Sequence, residues 1–157
     1  MEKLRIYLDT NMIHSWFRKY MDAKKKNIEF LEPEILKFIF GLKNEYIVSN
    51  IVKTEIFRFL AAEYDANENE CGETWEKFVR TYNIVYVIVK EINFEELIRI
   101  CLIVKTKKKT LINLMHMQVA KQGNVLFLTG EERLIEKYKQ YYHKTLSYEE
   151  LREMFSV

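Results

Sequence analysis

Glycine and proline are nearly absent, at 4 and 1 of 157 residues, against roughly 12% together in an average domain. So few turn residues argue against turn-rich all-β folds, Gly/Ser or Pro-rich linkers and collagen-like repeats, and favour helices joined by short loops. The glycines, Gly41, Gly72, Gly123 and Gly130, permit neither GxGxxG nor GxxxxGK[ST] to be written. Dinucleotide and P-loop sites, which need glycines where backbone approaches a pyrophosphate, are therefore excluded. Cys71 and Cys101 stand alone, with no CxxC and no histidine at zinc-finger spacing. That argues against a disulfide framework and a structural zinc site and leaves two reduced thiols. HExxH and GxSxG are missing, so a zinc protease or a hydrolase triad has no support. Charge of one sign is not in excess either: Lys+Arg 25 against Asp+Glu 23 leaves +2, which selects neither a nucleic acid nor an acidic ligand. Long apolar runs are also lacking. The longest, Ile84–Val89, is strand-sized, and the opening MEKLRIYLDTN is interrupted by Arg5 and closed by Asp9. Neither a signal peptide nor a transmembrane span is expected, and the protein reads as cytoplasmic with no membrane partner.

What is present is an ordinary globular balance, 48% hydrophobic and 31% charged, of a length that suits one domain spanning residues 1–157. Four short segments rich in β-branched and aromatic residues are apolar on both alternations: LRIYLD ending at Asp9, EYIVSN ending at Asn50, NIVYVIV ending at Val89 and NVLFLT ending at Thr129. Burial on both faces belongs to parallel strands covered by helices on each side. Helical periodicity fills the intervals: Met12–Met21, a helix opened by Pro33, Ile51–Tyr64, Thr74–Tyr82, Phe94–Val104, Thr110–Lys121 and Glu131–Tyr138. A weaker fifth strand is expected around Tyr141–Thr145, before a closing helix whose Ser147 and Glu150 form a capping pattern. The acidic patch from Glu63 to Glu73 reads as a solvated connector. The expected fold is α/β, a doubly wound parallel sheet of about five strands with helices on both faces.

In such sheets ligands sit beyond the carboxyl ends of the strands, and four polar residues occupy those junctions. Asp9 ends the first strand, where an ionised carboxylate needs a cation or several donors; a helix N-cap is its ordinary use. Glu55 lies just over a turn into the helix after VSN, among Ile51, Val52, Ile56, Phe57 and Leu60. Asn113 and His116 share one face of an apolar helix, where the ordinary role is a satisfied core hydrogen bond. Glu131 follows FLTG at the start of a helix whose amides favour a carboxylate. Converging on one site, three carboxylates and a carboxamide are hard oxygen ligands, which suit Mg²⁺ or Mn²⁺ and phosphodiester hydrolysis by a metal-activated water. A receiver-like signalling domain is a weaker reading of Asp9, because no phosphoacceptor aspartate follows the middle strand.

The segments YLDTNMI, VSNIVKTEIF, NLMHMQVA and FLTGEERL occur in the order and spacing of a PIN domain, and the chain resembles the single-domain VapC-type toxin branch of that family. The resemblance implies a five-stranded parallel sheet and a metal-dependent ribonuclease site at its carboxyl end. It makes Asp9 the principal metal ligand, Glu55 a second ligand or water-orienting carboxylate, and Glu131 the counterpart of the last family aspartate. Asn11 and Thr129 match positions that hold the site by hydrogen bonds, and Ser49 matches the small hydroxyl before the second acid. Asn113 stands where the family usually has aspartate, so the expected site has three carboxylates rather than four. A catalytically degenerate module that binds RNA or a protein is therefore the alternative to an active nuclease. Lys105, Lys107, Lys108 and Lys109, together with Arg18, Lys19, Lys24, Lys25 and Lys26, are expected to flank the mouth of the site and bind RNA phosphates, and Trp16, Phe17 and Tyr20 are candidates for stacking on bases. A small antitoxin and homodimerisation through exposed apolar helix faces are the partners the resemblance implies.

Overall fold

The computed structural model describes residues 2–156. The apolar runs form five parallel strands: β1 (Arg5–Leu8), β2 (Glu45–Ser49), β3 (Val85–Val87), β4 (Leu126–Leu128) and β5 (Thr145–Leu146). They make one sheet in the order β3-β2-β1-β4-β5, with Ile6 opposite both Tyr46 and Leu126. Between them run α1 (Thr10–Lys26), α2 (Glu34–Gly41), α3 (Asn50–Tyr64), α4 (Glu68–Thr81), α5 (Phe94–Val104), α6 (Lys108–Gln122) and α7 (Glu132–Tyr138), and α8 (Tyr148–Met154) closes the chain. Contacts of α1 with α2 and α3, of α3 with α4, and of α6 with α5 and α7 separate the helices into two layers. The doubly wound α/β expectation is thus met.

The order fixes where a site belongs. The chain steps outward from β1 through β2 to β3, then returns to place β4 on the other side of β1. The crevice at the carboxyl ends of β1 and β4 is therefore the point where strand order reverses, the usual ligand position in open α/β sheets. The same order excludes the receiver-like reading, in which β1 lies between the second and third strands.

Several boundaries differ from expectation. The segment Glu63–Glu73 is not a connector: α3 ends at Tyr64, Asp65 takes a left-handed φ of 51°, and α4 begins at Glu68 under a capping box in which Asn67 and Glu70 exchange hydrogen bonds. The strand expected to reach Val89 stops at Val87, because the Asn50 carboxamide takes both backbone groups of Val89 at 2.8 and 3.2 Å. It is an edge strand, so Tyr86 and neighbouring Ile88 are exposed rather than buried. Tyr141 lies in a short 3-10 turn, Lys139–Tyr141, and the fifth strand is only Thr145–Leu146.

The aromatic candidates on α1 serve packing. Trp16 and Phe17 are buried, and the Trp16 ring lies within 6.4 Å of the rings of Phe17, Tyr20, Phe30, Phe78 and Tyr82. Base stacking by Trp16 or Phe17 is excluded by that burial, while Tyr20 is half-buried and stacks on Trp16. No helix among the described residues is long and apolar enough to cross a membrane.

Candidate active site

Asp9 follows the last residue of β1, and its backbone N–H donates to the carbonyl of Leu128 at 3.0 Å, continuing the β1–β4 ladder by one rung. The residue occupies the N-cap position of α1 in extended conformation, yet its side chain caps nothing. The carboxylate is fully buried. Oδ2 accepts from the Thr129 hydroxyl at 2.8 Å and the Asn11 carboxamide at 3.2 Å, whereas Oδ1 has no hydrogen-bond partner. Burial pushes the Asp9 carboxyl up to about 6, against the opposing pull of His116 and the Thr129 hydrogen bond, and nearby Glu55 pushes it further. The helix-cap explanation of Asp9 therefore fails, and half of its carboxylate is left for something else.

Glu55 projects from α3 toward the same place. Its Oε1 accepts from the Thr10 hydroxyl at 2.6 Å and from His116 Nε2 at 2.5 Å. Burial opposes ionisation of Glu55, but the hydrogen bonds from His116 and Thr10 outweigh it and hold the carboxyl below its usual range. The two acids thus differ by surroundings: Glu55 is provided with donors, and Asp9 is short of them.

Glu131 is the N-cap residue of α7 but does not cap it through its side chain. It instead accepts a hydrogen bond from the Asn113 carboxamide on α6. Asn113 is therefore a donor that holds a carboxylate, where an aspartate would repel one. An open cleft of about 570 Å³ is lined by Thr10, Asn11, His14, Glu55, Lys109, Asn113, Gly130 and Glu131. Asp9 is not among the lining residues; Thr10 and Asn11, which follow it, are. Among the described residues no three His, Cys, Asp or Glu side chains are grouped closely enough to form a ready metal cluster. The donor set nevertheless fits a hard divalent cation at Asp9: a buried carboxylate oxygen without a partner, with a second carboxylate close enough to raise its pKa.

Asn11 and Thr129 act directly on Asp9, and Asn11 Oδ1 also accepts the Gly130 N–H at 2.9 Å, joining the loops after β1 and β4. Ser49 touches none of the acids; it caps α3 and bonds Tyr7. Tyr7, Thr10 and His14 went unassigned from sequence. Thr10 stands inside the DTN motif, which is the signal for it, but Tyr7 was hidden by being one apolar-looking residue of a strand. Of the lysines, only Lys109 reaches the cleft; Lys105, Lys107 and Lys108 are exposed at the α5–α6 junction without lining it. Of the second basic run, Lys19 lines a neighbouring cavity with Asn11, Thr129 and Gly130, whereas its last three lysines lie away from the site. Helix α1 continues to Lys26, which carries Lys24, Lys25 and Lys26 roughly 24 Å along the axis from Asp9 at ~1.5 Å per residue. There they complement the carboxyl-end dipole of the helix.

No family model matches this sequence, and no curated protein matches it by sequence. Solved structures do match. VapBC2 from Rickettsia felis, solved bound to a DNA fragment from its promoter, superposes with a TM-score of 0.58 at 14% identity, covering 92% of this chain and 97% of that one. PAE2754 from Pyrobaculum aerophilum gives 0.54 at 12% identity, over 96% and 94% of the two chains. DNA-bound VapBC from Salmonella typhimurium gives 0.57 at 10% identity, over 92% and 98%. The fold is PIN-like. In this PIN-like sheet the sequence-nominated Asp9, Glu55, Asn113 and Glu131 all fall at the carboxyl end of the strands.

The raised Asp9 pKa gives a stability test in metal-free buffer. The folded value lies above the unfolded one, so Asp9 favours the native state below about pH 4 and that contribution disappears as pH rises through about 6. The stability of Asp9→Asn relative to the wild type is expected to rise by up to about 3 kcal/mol between pH 4 and pH 7, followed by urea denaturation. A difference that is flat or falls with pH would mean that Asp9 is not a strained buried anion.

Proposed function

We propose that the protein is a divalent-metal-dependent endoribonuclease of PIN type, the toxin of a toxin–antitoxin pair, acting in the cytoplasm. The observation that carries the reading is the fully buried Asp9 with an unsatisfied carboxylate oxygen at the point where strand order reverses. Supporting it, the fold is shared with the VapBC structures from Rickettsia felis and Salmonella typhimurium, and the partner implied for this chain is a small antitoxin.

Asp9 and Glu55 would hold Mg²⁺ or Mn²⁺, with Glu131, which lines the same cleft as Glu55, as a further carboxylate ligand. The bound ion supplies a water that is nucleophilic at neutral pH and neutralises charge on a phosphodiester. Thr129 and Asn11 keep Asp9 aimed by fixing Oδ2, and Thr10 and His116 do the same for Glu55 through Oε1. Lys109 lies where it would meet an RNA phosphate at the cleft, and Lys105, Lys107 and Lys108 would extend that contact along the strand. Millimolar Mn²⁺ is expected to support cleavage of single-stranded RNA that Asp9→Asn abolishes. Cleavage that survives the substitution would assign it to a contaminant or to another site and remove the reading.

The Asn113–Glu131 hydrogen bond favours a second reading, a degenerate PIN-like module that binds RNA or a protein without cutting. Restoring Asn113→Asp adds a carboxylate to the cleft and is expected to tighten Mn²⁺ binding roughly tenfold or more if lost charge is what limits the site. Equal affinity before and after, measured by calorimetry, would show that Asn113 is not limiting.

Homodimerisation belongs to the same proposal. Phe94, Ile98 and Leu102 form one exposed row along α5, with Ile103 beside it and Leu111 and Ile112 at the start of α6. These six large apolar side chains are partly in water, and each would stabilise by up to ~1.5–3 kcal/mol when fully covered. A second copy is the occupant proposed, because a helical row of this kind packs against itself about a two-fold axis. Light scattering is expected to give a dimer that Leu102→Glu converts to a monomer; a wild-type monomer at high micromolar concentration would refute it.

A further inference from the structure

We infer that His116 is the positioning residue for Glu55, the last donor in a directed chain of hydrogen bonds that runs from the cap of α3 through Tyr7 to the Glu55 carboxylate. The inference deepens the nuclease reading and rests on it for its consequence, although the chain itself exists without a metal.

His116 is fully buried on α6, and both ring nitrogens are engaged. Nδ1 lies 2.7 Å from the Tyr7 hydroxyl, and Nε2 lies 2.5 Å from Glu55 Oε1 and 3.3 Å from the Thr10 hydroxyl. The Tyr7 oxygen is also 2.7 Å from Ser49 Oγ, which accepts the Ile51 backbone N–H at 3.2 Å as the cap of α3. Proton counting gives the direction for a ring that carries one proton. An ionised Glu55 only accepts, so Nε2 carries the hydrogen that faces it; Nδ1 of a neutral ring is then an acceptor. Tyr7 fills that acceptor with its O–H, which burial keeps protonated. The phenol oxygen in turn accepts the Ser49 O–H. Each donor is used once, and no buried polar atom of the chain is left over.

The geometric consequence falls on Glu55. A glutamate on a helix has three rotatable side-chain bonds, and both of its hydrogen bonds here fall on Oε1, from Thr10 on one side and His116 on the other. That pins the carboxylate and leaves Oε2 as the oxygen a cation would use. A histidine that merely filled the core would need one acceptor for one N–H. This ring instead ties α6 to β1 through Tyr7 and to α3 through Glu55, so it couples three elements that meet at the site. Outer hydrogen bonds of this kind typically alter metal affinity 10–100-fold when removed.

Two measurements test it. Long-range ¹⁵N–¹H spectra of the metal-free wild type are expected to show a proton on His116 Nε2; a ring protonated on Nδ1 alone overturns the inference. Mn²⁺ calorimetry on two variants then separates positioning from packing. The carboxamide nitrogen in His116→Gln replaces the Nε2 donor to Glu55, whereas that in His116→Asn reaches only the Nδ1 side. His116→Gln is expected to bind Mn²⁺ within about threefold of wild type and His116→Asn at least tenfold more weakly, at similar melting temperatures. Equal losses in both variants would reduce His116 to a packing residue and overturn the inference. Absence of Mn²⁺ binding by the wild type would count against the nuclease reading instead, and the ring-nitrogen spectrum would still decide the relay.

Discussion

A carboxylate with no solvent exposure, set into the seam between β1 and β4, is the constraint on which the rest of the site depends. Removing an ion from water is expensive even after a protein relaxes around it. The surroundings answer that only in part. Thr129 and Asn11 both serve Oδ2, and each is itself locked: Asn11 bridges to the Gly130 backbone, and the Thr129 hydroxyl accepts the Glu131 N–H at 3.2 Å. The loops after β1 and β4 are thereby organised around one oxygen of Asp9, while its other oxygen is left without a partner. A fold selected for stability alone would place an asparagine or an apolar residue there. A charge retained at such a position is the usual mark of a functional group.

Around Asp9 the remaining charges are distributed so that three carboxylates can coexist in a small volume. Glu55 is stabilised by two donors, and Glu131 by the Asn113 amide. Glu131 and Asn113 belong together in this light. Asn113 offers a donor where an acid would add a fourth like charge, and the Glu131 side chain meets the amide. The pairing lowers repulsion among the carboxylates.

Much of the fold was legible because the signals are local. Double-sided apolar runs gave four of the five strands, and helical periodicity gave the helices, with Gly and Pro scarcity pointing to short connections. Where local signals were misread the structure shows why. Asn67 and Glu70 are a capping box inside what looked like an acidic connector, and Asn50, read as the end of a strand, uses its carboxamide to stop β3 from continuing to Val89. The site was legible at the level of residue identity, since strand ends are where chemistry collects in this architecture. Its wiring was not. The bonds joining Tyr7 to His116 and Asp9 to Thr129 span 109 and 120 residues, and nothing in a local pattern says that a tyrosine in RIYL faces a histidine on α6. The lysines at the end of α1 were misplaced for a simpler reason: the helix runs five residues longer than expected and carries them to its far end.

The function of the site turns on whether the unsatisfied Asp9 oxygen takes a cation. Calorimetric titration of Mn²⁺ into the wild type beside Asp9→Asn, at pH 7.5 where the carboxyl is ionised, tests this most directly. A saturable one-site isotherm in the wild type that disappears in the variant is the predicted result. Equal binding in both proteins, or none in the wild type, would contradict it.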